Sequence, residues 1–142
     1  MSDPLETADR VHAAAIRLLR MVRSADDETG LSAPRLSALS VLVFAGPKSL
    51  GALARIEQVT APTMSKLVSE LQADGLVAKR ADKADGRAIR IEATAKGKAL
   101  MLEGRKRRLA LLRQRFASFT AAERATLEKA AALMMRAAEG AR

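Results

Sequence analysis

The 142-residue chain contains no cysteine, no tryptophan and no tyrosine, and it has only three phenylalanines and one histidine. Without cysteine there can be no disulfide framework, thiol nucleophile or cysteine-ligated metal site. A single histidine argues against a histidine-based zinc site and against a Ser-His-Asp hydrolase. The phosphate-binding patterns GxxxxGK[ST] and GxGxxG are also absent. We therefore expect neither an enzyme nor a cofactor or metal site.

Long apolar runs are missing as well. No stretch reaches the roughly 18 consecutive apolar residues that a membrane-spanning helix requires. The first ten residues, MSDPLETADR, lack the basic start and apolar core of a secretory signal peptide. These absences predict a cytoplasmic protein that does not insert into a membrane.

The apolar content points to helices. Apolar residues make up 49% of the chain, but aromatic residues make up only 2%. The core must therefore be built from Ala, Leu, Val and Met, whereas a β-sandwich would favour β-branched and aromatic residues. The composition and length predict one mainly α-helical domain.

Positive charge is in excess and unevenly spread. Lys and Arg number 25 against 16 Asp and Glu, which gives a net charge of +9. Such a balance suggests a polyanionic partner, either nucleic acid or, less often, an acidic membrane surface. Much of the excess lies between residues 96 and 115, around Arg105–Arg108. A solvated helix face is the plain alternative for such a run.

Apolar spacing and capping residues predict the order of the elements. Helices are expected over residues 5–24, between Ser32 and the Gly46-Pro47 stop, over 50–56, from Thr60 to about Asp74, from Thr94 to about Ser118, and from Thr120 onward. Alternating residues predict strands at 76–80 and 88–93. The connection 82–87 contains an Asp-Gly turn signal, so the two strands should form a hairpin.

The helices at 50–56 and from Thr60 to about Asp74 are joined by a short turn, which indicates a helix-turn-helix; with a hairpin directly after it, the motif is a winged helix. The second of these helices, here called the recognition helix, would enter the major groove, and the hairpin would reach the neighbouring DNA. The apolar side of this second helix carries Met64, Leu67, Val68 and Leu71. The opposite side and the N-terminal end expose short or flexible groups that permit close approach to DNA: Ala61, Pro62, Thr63, Ser65, Lys66 and Ser69. An ordinary amphipathic helix is the alternative for this pattern taken alone.

Four segments resemble the multiple-antibiotic-resistance regulator (MarR) family of bacterial winged-helix repressors. They are residues 60–68, 71–77, the wing 82–88 and the junction 92–97. The junction fits the family's "LT..G" pattern with Ala93 in place of the usual Leu. The resemblance covers nearly the whole chain.

The resemblance implies one MarR-type domain over 1–142, with a winged-helix lobe at 32–93 and dimerisation helices at 1–24 and 95–142. It also places the family's acidic-x-Arg wing signature on Asp85 and Arg87. In this arrangement the Asp85 carboxylate would orient the Arg87 guanidinium for the minor groove. The full expected DNA-binding set is Ser49, Thr60, Ala61, Pro62, Thr63, Ser65, Lys66, Ser69, Lys83, Asp85 and Arg87.

The resemblance further implies an effector pocket between the two lobes, since small aromatic acids are common effectors in the family. The candidate lining residues are His12, Ile16, Leu19, Arg35, Leu39, Val43 and Arg105. Arg105 and Lys98 fall on a helical stripe with Leu102, Leu109, Leu112 and Phe116, which we expect to face inward. A cation there would snorkel, pair with an acid, or meet an anionic ligand or a DNA phosphate.

These features together predict a homodimeric transcriptional regulator. It would bind double-stranded DNA at a pseudo-palindromic operator, act as a repressor, and be released by a small anionic or aromatic ligand. An architectural DNA-binding protein that needs no effector is the alternative, and a protein that binds the membrane surface through its basic helix is a more distant one.

Overall fold

The mainly helical fold is confirmed in the computed structural model, which describes residues 1–140. Six α-helices and one two-stranded sheet follow in the predicted order. They are α1 (Pro4–Arg23), α2 (Ala33–Phe44), α3 (Leu50–Glu57), α4 (Ala61–Ala73), β1 (Val77–Ala81), β2 (Ile89–Ala93), α5 (Ala95–Phe116) and α6 (Ala121–Glu139). The polar break after α1 contains a short 3₁₀ turn, Asp27–Thr29, which the sequence did not indicate.

The chain divides into two compact units, a first unit of Met1–Arg108 and a second unit that begins at Leu109. The core of the first unit lies where α2, α3, α4 and the sheet meet. Its fully buried side chains include Leu39, Leu53, Met64, Leu71 and Ile91. Met64, Val68 and Leu71 are buried as predicted, but Leu67 is only partly buried and packs against the edge of the core.

The turn between α3 and α4 gives the helix-turn-helix its geometry. Gln58 ends α3 in the left-handed conformation, with φ of 56°, and its amide and that of Val59 donate to carbonyl oxygens in the last turn of α3. Side chains other than glycine seldom adopt this conformation. Only one residue separates Val59 from α4, because Thr60 caps that helix.

The sheet pairs β1 with β2 in antiparallel register, with Val77 opposite Ala93 and Lys79 opposite Ile91. Lys48 adds a third, one-residue segment. Its N–H donates to the Ile91 carbonyl at 3.1 Å, and its carbonyl accepts from the Ile91 N–H at 2.8 Å. This bridge fastens the α2–α3 connection to the wing. A single residue has no alternation, so sequence periodicity could not reveal it.

The first turn of α5 lies against the end of α4. Thr94 donates its hydroxyl to the Gly75 carbonyl at 2.6 Å and accepts from the Gly97 N–H at 3.1 Å. Its own N–H donates to the Leu76 carbonyl at 3.0 Å. A Cβ placed on Gly97 would lie 2.2 Å from that same Leu76 oxygen, closer than real contacts allow. The junction therefore needs a residue without a side chain at position 97.

The inward side of α5 differs from the predicted stripe. Gly97, Met101 and Gly104 are the buried residues of this helix, whereas Leu102 and Leu109 are 49% and 46% exposed. Arg105 and Lys98 are exposed too. Within the chain the predicted stripe is therefore wrong, because Gly97 lets the helix backbone approach Leu76 on another side.

The second unit contains the end of α5 and α6. Thr120 and Glu123 form the predicted capping box, with the Glu123 N–H donating to the Thr120 hydroxyl at 3.1 Å and the Thr120 N–H donating to the Glu123 carboxylate at 2.7 Å. None of the α6 residues is buried. Nowhere in residues 1–140 is a helix long and apolar enough to cross a membrane.

We predict that Gly97→Ala destabilises the first unit by about 1–3 kcal/mol, because its methyl group would overlap the Leu76 carbonyl. Gly104→Ala, on the same helix, is the matched control. The nearest atoms to its new methyl are the ends of the Arg107 and Arg108 side chains, which can move, and alanine is the better helix former. Chemical denaturation of both variants measures the difference. Equal stabilities would contradict the importance of the close approach.

Candidate nucleic-acid interface

The N-terminal end of α4 is fixed by its cap and stays open to solvent. The Thr60 hydroxyl accepts from the Thr63 N–H at 3.3 Å and lies 2.9 Å from the Thr63 hydroxyl. Pro62 occupies the first turn, where its missing N–H costs nothing. The predicted capping role of Thr60 is confirmed, and the hydroxyls remain exposed at the helix end.

The predicted DNA-facing side of α4 is exposed except at one position. Ala61, Pro62, Thr63, Lys66 and Ser69 are all exposed. Ser65 is half-buried, because it lines a small crevice between α4 and the wing. This face therefore presents short side chains and one lysine.

Ser49 lies at the start of α3, not on α4. Its hydroxyl accepts from the Ala52 N–H at 3.1 Å and so caps α3. The residue is exposed. Its structural role is thus established, while contact with DNA remains a prediction.

The wing tip is held by short hydrogen bonds of its own. The Asp85 carboxylate accepts from the backbone N–H of Arg87 at 3.0 Å. Among residues 1–140, no ion pair joins Asp85 to the Arg87 guanidinium, so the predicted orienting contact is corrected: Asp85 shapes the backbone of the turn. Arg87 and Lys83 are both exposed. The guanidinium is therefore available at a tip whose backbone is fixed.

Asp82 anchors the base of this tip, and the sequence analysis missed it. Its carboxylate accepts from the Ala84 N–H at 2.9 Å and from Arg90 Nε at 2.8 Å. The hydrogen bond from Ala84, followed by that from Arg90, holds the pKa of Asp82 below its ordinary value. An aspartate at the first position of a turn is a recognisable signal for such a bond, but its partner Arg90 comes from the opposite strand.

Arg35 joins α2 to the C-terminal end of α4. Its guanidinium donates to the Asp74 carboxylate at 3.3 Å and to the Ser32 hydroxyl at 3.2 Å, and it lies 3.9 Å from Glu70. Ser32 occupies the N-cap position of α2 but makes no side-chain cap. Arg35 thus links α2 to α4. The prediction that it lines the effector pocket is corrected, because it is absent from the lining of the cavity described next.

An open cavity of about 420 Å³ lies in the first unit, beside α1, α2 and α5. Its charged lining residues are Arg23, Asp26, Asp27 and Arg108. The remaining lining residues are Leu19, Val22, Leu31, Ala33, Leu36, Ser37, Ser40 and Met101. Half of the lining residues are thus apolar, and two cations and two carboxylates are among the others.

Of the seven predicted pocket residues, Leu19 alone lines this cavity. Leu39 is fully buried in the core, and His12, Ile16 and Arg105 are exposed elsewhere on their helices. Val43 lines a second cavity, of about 180 Å³, together with Lys98. Placement on the helices therefore did not identify the residues that line this cavity.

Two arginines of the basic segment turn inward, and they are not the one that we predicted. Arg108 pairs with Asp26 at 2.5 Å, and both side chains are only 23% exposed. Arg107 donates to the Ala25 carbonyl at 3.2 Å and pairs with Glu28 at 3.3 Å. Half of the basic run therefore fastens α5 to the segment after α1. In the described part of the chain, no cluster of His, Cys, Asp and Glu could hold a metal ion.

The helix-turn-helix, its exposed recognition helix and the wing define the chain as a winged-helix protein. The profile of the MarR family matches residues 29–88. An uncharacterised HTH-type transcriptional regulator of Mycobacterium bovis is 32% identical over 128 residues, which cover 90% of each chain. A related regulator of Mycobacterium leprae is 30% identical over the same share. The chain belongs to the MarR family of transcriptional regulators.

Solved structures agree on the fold. A MarR family protein from Bacillus stearothermophilus superposes with a TM-score of 0.82 at 23% identity, covering 92% of this chain and 91% of that one. A transcriptional regulator from Thermotoga maritima gives a TM-score of 0.80 at 21% identity, over 96% and 99% of the two chains. At these identities the likeness concerns the fold.

Proposed function

We propose that the chain acts as a homodimeric repressor that binds a pseudo-palindromic operator and is released by a small anionic or aromatic ligand. The observation that carries the proposal is the pairing of an exposed recognition helix with an exposed, internally braced wing tip. Lys66, Lys83 and Arg87 belong to these two elements, and the described residues offer them no ion pair. Cations left unpaired on one motif are suited to DNA phosphates and grooves.

Arg87 is the residue on which the wing contact depends. We expect Arg87→Ala to weaken operator binding by about 1–3 kcal/mol, the usual range for one well-placed contact. The fold should be unchanged, because Asp85 bonds only to the backbone of this residue. The test is a gel-shift titration at physiological salt, on fragments first selected from genomic DNA.

Arg10→Ala is the control, since it removes one positive charge from α1, outside residues 32–93, and sedimentation checks that this variant dimerises as the wild type does. Arg10 is exposed and pairs only with Glu6 of its own helix. If both variants bound the operator as tightly as the wild type, Arg87 would not be a DNA contact.

The dimer is supported by apolar surface that the chain leaves uncovered. The helix α6 has no buried residue, although Leu133, Met134 and Met135 are 55%, 44% and 62% exposed. On α1, Leu5 and Leu19 are 74% and 59% exposed. Large apolar side chains left exposed along a helix are typical of an interface. We assign α1, α6 and the second half of α5 to dimerisation and residues 32–93 to DNA binding.

Two copies joined in this way would present two recognition helices to one face of DNA. Half-sites should then be about 10–10.5 base pairs apart, one helical turn. Binding should weaken steeply with salt, since six to ten phosphate contacts would cost roughly 10³–10⁵ in affinity between about 50 and 200 mM.

Leu133→Gln tests the dimer. Burying an unpaired amide in an apolar interface should raise the dimer dissociation constant roughly tenfold to hundredfold. Lys129→Gln on the same helix is the matched control, because it introduces the same amide without removing an apolar side chain. Sedimentation at micromolar concentration measures both. A wild-type monomer, or equal dissociation constants for the two variants, would contradict the assigned interface.

The cavity beside α1, α2 and α5 is the proposed ligand site. Its volume falls in the range of small-molecule sites, about 300–1,000 Å³. The apolar wall suits an aromatic ring, and Arg23 and Arg108 suit an anionic group. An anion that reached Arg108 would compete with Asp26 for the guanidinium.

We expect benzoate, a small aromatic carboxylate, to bind the wild type and to release operator DNA. Arg108→Gln should weaken benzoate binding about tenfold, since one charge-assisted hydrogen bond is worth roughly 1.5–3 kcal/mol. Arg105→Gln, three residues away and exposed, should leave it unchanged. Calorimetry measures both affinities. Should a series of aromatic acids leave DNA binding unaltered, the architectural function without an effector would replace this part of the proposal.

A further inference from the structure

The two strands of the wing, β1 and β2, carry cations on both faces of the sheet, and the cations on one face are paired with acids. Arg80 and Arg90 face each other across the two strands, and each is paired with an acid. Arg80 bonds to Glu92 at 2.8 Å, and Arg90 bonds to Asp82 at 2.8 Å. Successive side chains of a strand alternate between faces, so Lys79 lies on the other face.

The face that carries Lys79 is the one turned toward the helix-turn-helix. Lys79 pairs across the sheet with Ile91, which is 1% exposed in the core. Ile89, next along on the same face, is 58% exposed. Together with Ser65 of α4, these three residues line a crevice of about 120 Å³ between the recognition helix and the wing, completed by Leu50 and Val68.

Lys79 is a cation without a carboxylate partner in this crevice. It is exposed, and no ion pair of Lys79 occurs among the described side chains. Its methylene stem lies in an apolar setting, where a lysine extends its ammonium group toward the nearest water. We therefore expect the ammonium group to extend out of the crevice toward solvent.

We propose that Lys79 binds a phosphate of the DNA strand that runs between the recognition helix and the wing, with Ile89 beside it as an apolar contact for the sugar. The inference rests on the proposed DNA-binding function and extends it to a surface that the sequence analysis did not include. Ser65 of α4 and Lys79 of the wing line the same crevice, so a DNA strand that contacts both elements can meet Lys79 between them. The inner face of the wing, and not only its tip, is then part of the DNA interface.

Two variants separate a direct contact from a general effect of charge. Lys79→Met keeps most of the apolar stem and removes one positive charge. Arg80→Met removes one positive charge from the adjacent residue, on the face where the arginine is already paired. A purely electrostatic field would treat the two losses alike, because they lie one residue apart.

The measurement is the salt dependence of binding to mixed-sequence duplex DNA, which requires no knowledge of the operator. Each phosphate contact contributes about 0.9 to the slope of log affinity against log salt, or about 1.8 for a dimer with two copies. We expect Lys79→Met to reduce the slope measured for the dimer by about 1.8. Over a fourfold rise in salt the variant would then lose about twelvefold less affinity than the wild type loses. Arg80→Met should keep the wild-type slope, and Lys79→Arg should restore it.

Thermal unfolding of each variant checks that the wing remains intact. Equal slopes for Lys79→Met and Arg80→Met, whether both reduced or both unchanged, would overturn the assignment of Lys79. Failure of Lys79→Arg to restore the slope would overturn it too. A wild type with no steep salt dependence would instead refute the proposed DNA-binding function itself, so the two failures are distinguishable.

Discussion

The contact on which the first unit most depends is the approach of the α5 backbone to the Leu76 carbonyl at Gly97. Thr94 secures it by bonding to the Gly75 carbonyl and to the Gly97 N–H, at 2.6 and 3.1 Å. Because Leu76 directly follows the turn that ends α4, this one junction fixes the long helix against the recognition helix and the wing. Further along the same helix, Met101 lies in the core and Arg108 lines the cavity.

The net charge of +9 divides into cations with internal tasks and cations left for a partner. Arg35, Arg107 and Arg108 join helices or connections that are distant in sequence, and Arg80 and Arg90 brace the wing. Lys66, Lys79, Lys83 and Arg87 remain on the surface of the recognition helix and wing. The basic composition therefore indicates a polyanionic partner only in part, since an arginine that is already paired and hydrogen-bonded offers less to a phosphate than a free one.

The helix α2 contacts both the cavity and the recognition helix. Leu36 of this helix lines the cavity, while its neighbour Arg35 bonds to Asp74 at the end of α4. A ligand that shifted α2 would thus act on an element already tied to the DNA-reading helix. Energetic coupling of this kind needs an element with two arrangements that both sites bias, and α2 is an element that contacts both.

Much of the fold followed from the sequence because it rests on interactions between near neighbours. The caps at Thr60 and Thr120 involve groups three residues apart, and helical or alternating apolar spacing reports which side of an element faces a core. The family motifs extended this to the winged helix, its recognition helix and its wing.

Only the tertiary structure decided which residues pair when they are distant along the chain. Arg35 and Asp74 are 39 residues apart, and Arg108 and Asp26 are 82 apart. Periodicity predicted the wrong inward side for α5, because Gly97, whose small size carries no hydrophobic signal, permits the closest approach on another side. A local pattern reports that a residue will be buried or charged. Which distant atom it meets is set by how the helices pack, and that decided the lining of the cavity, the one-residue bridge at Lys48 and the crevice at Lys79.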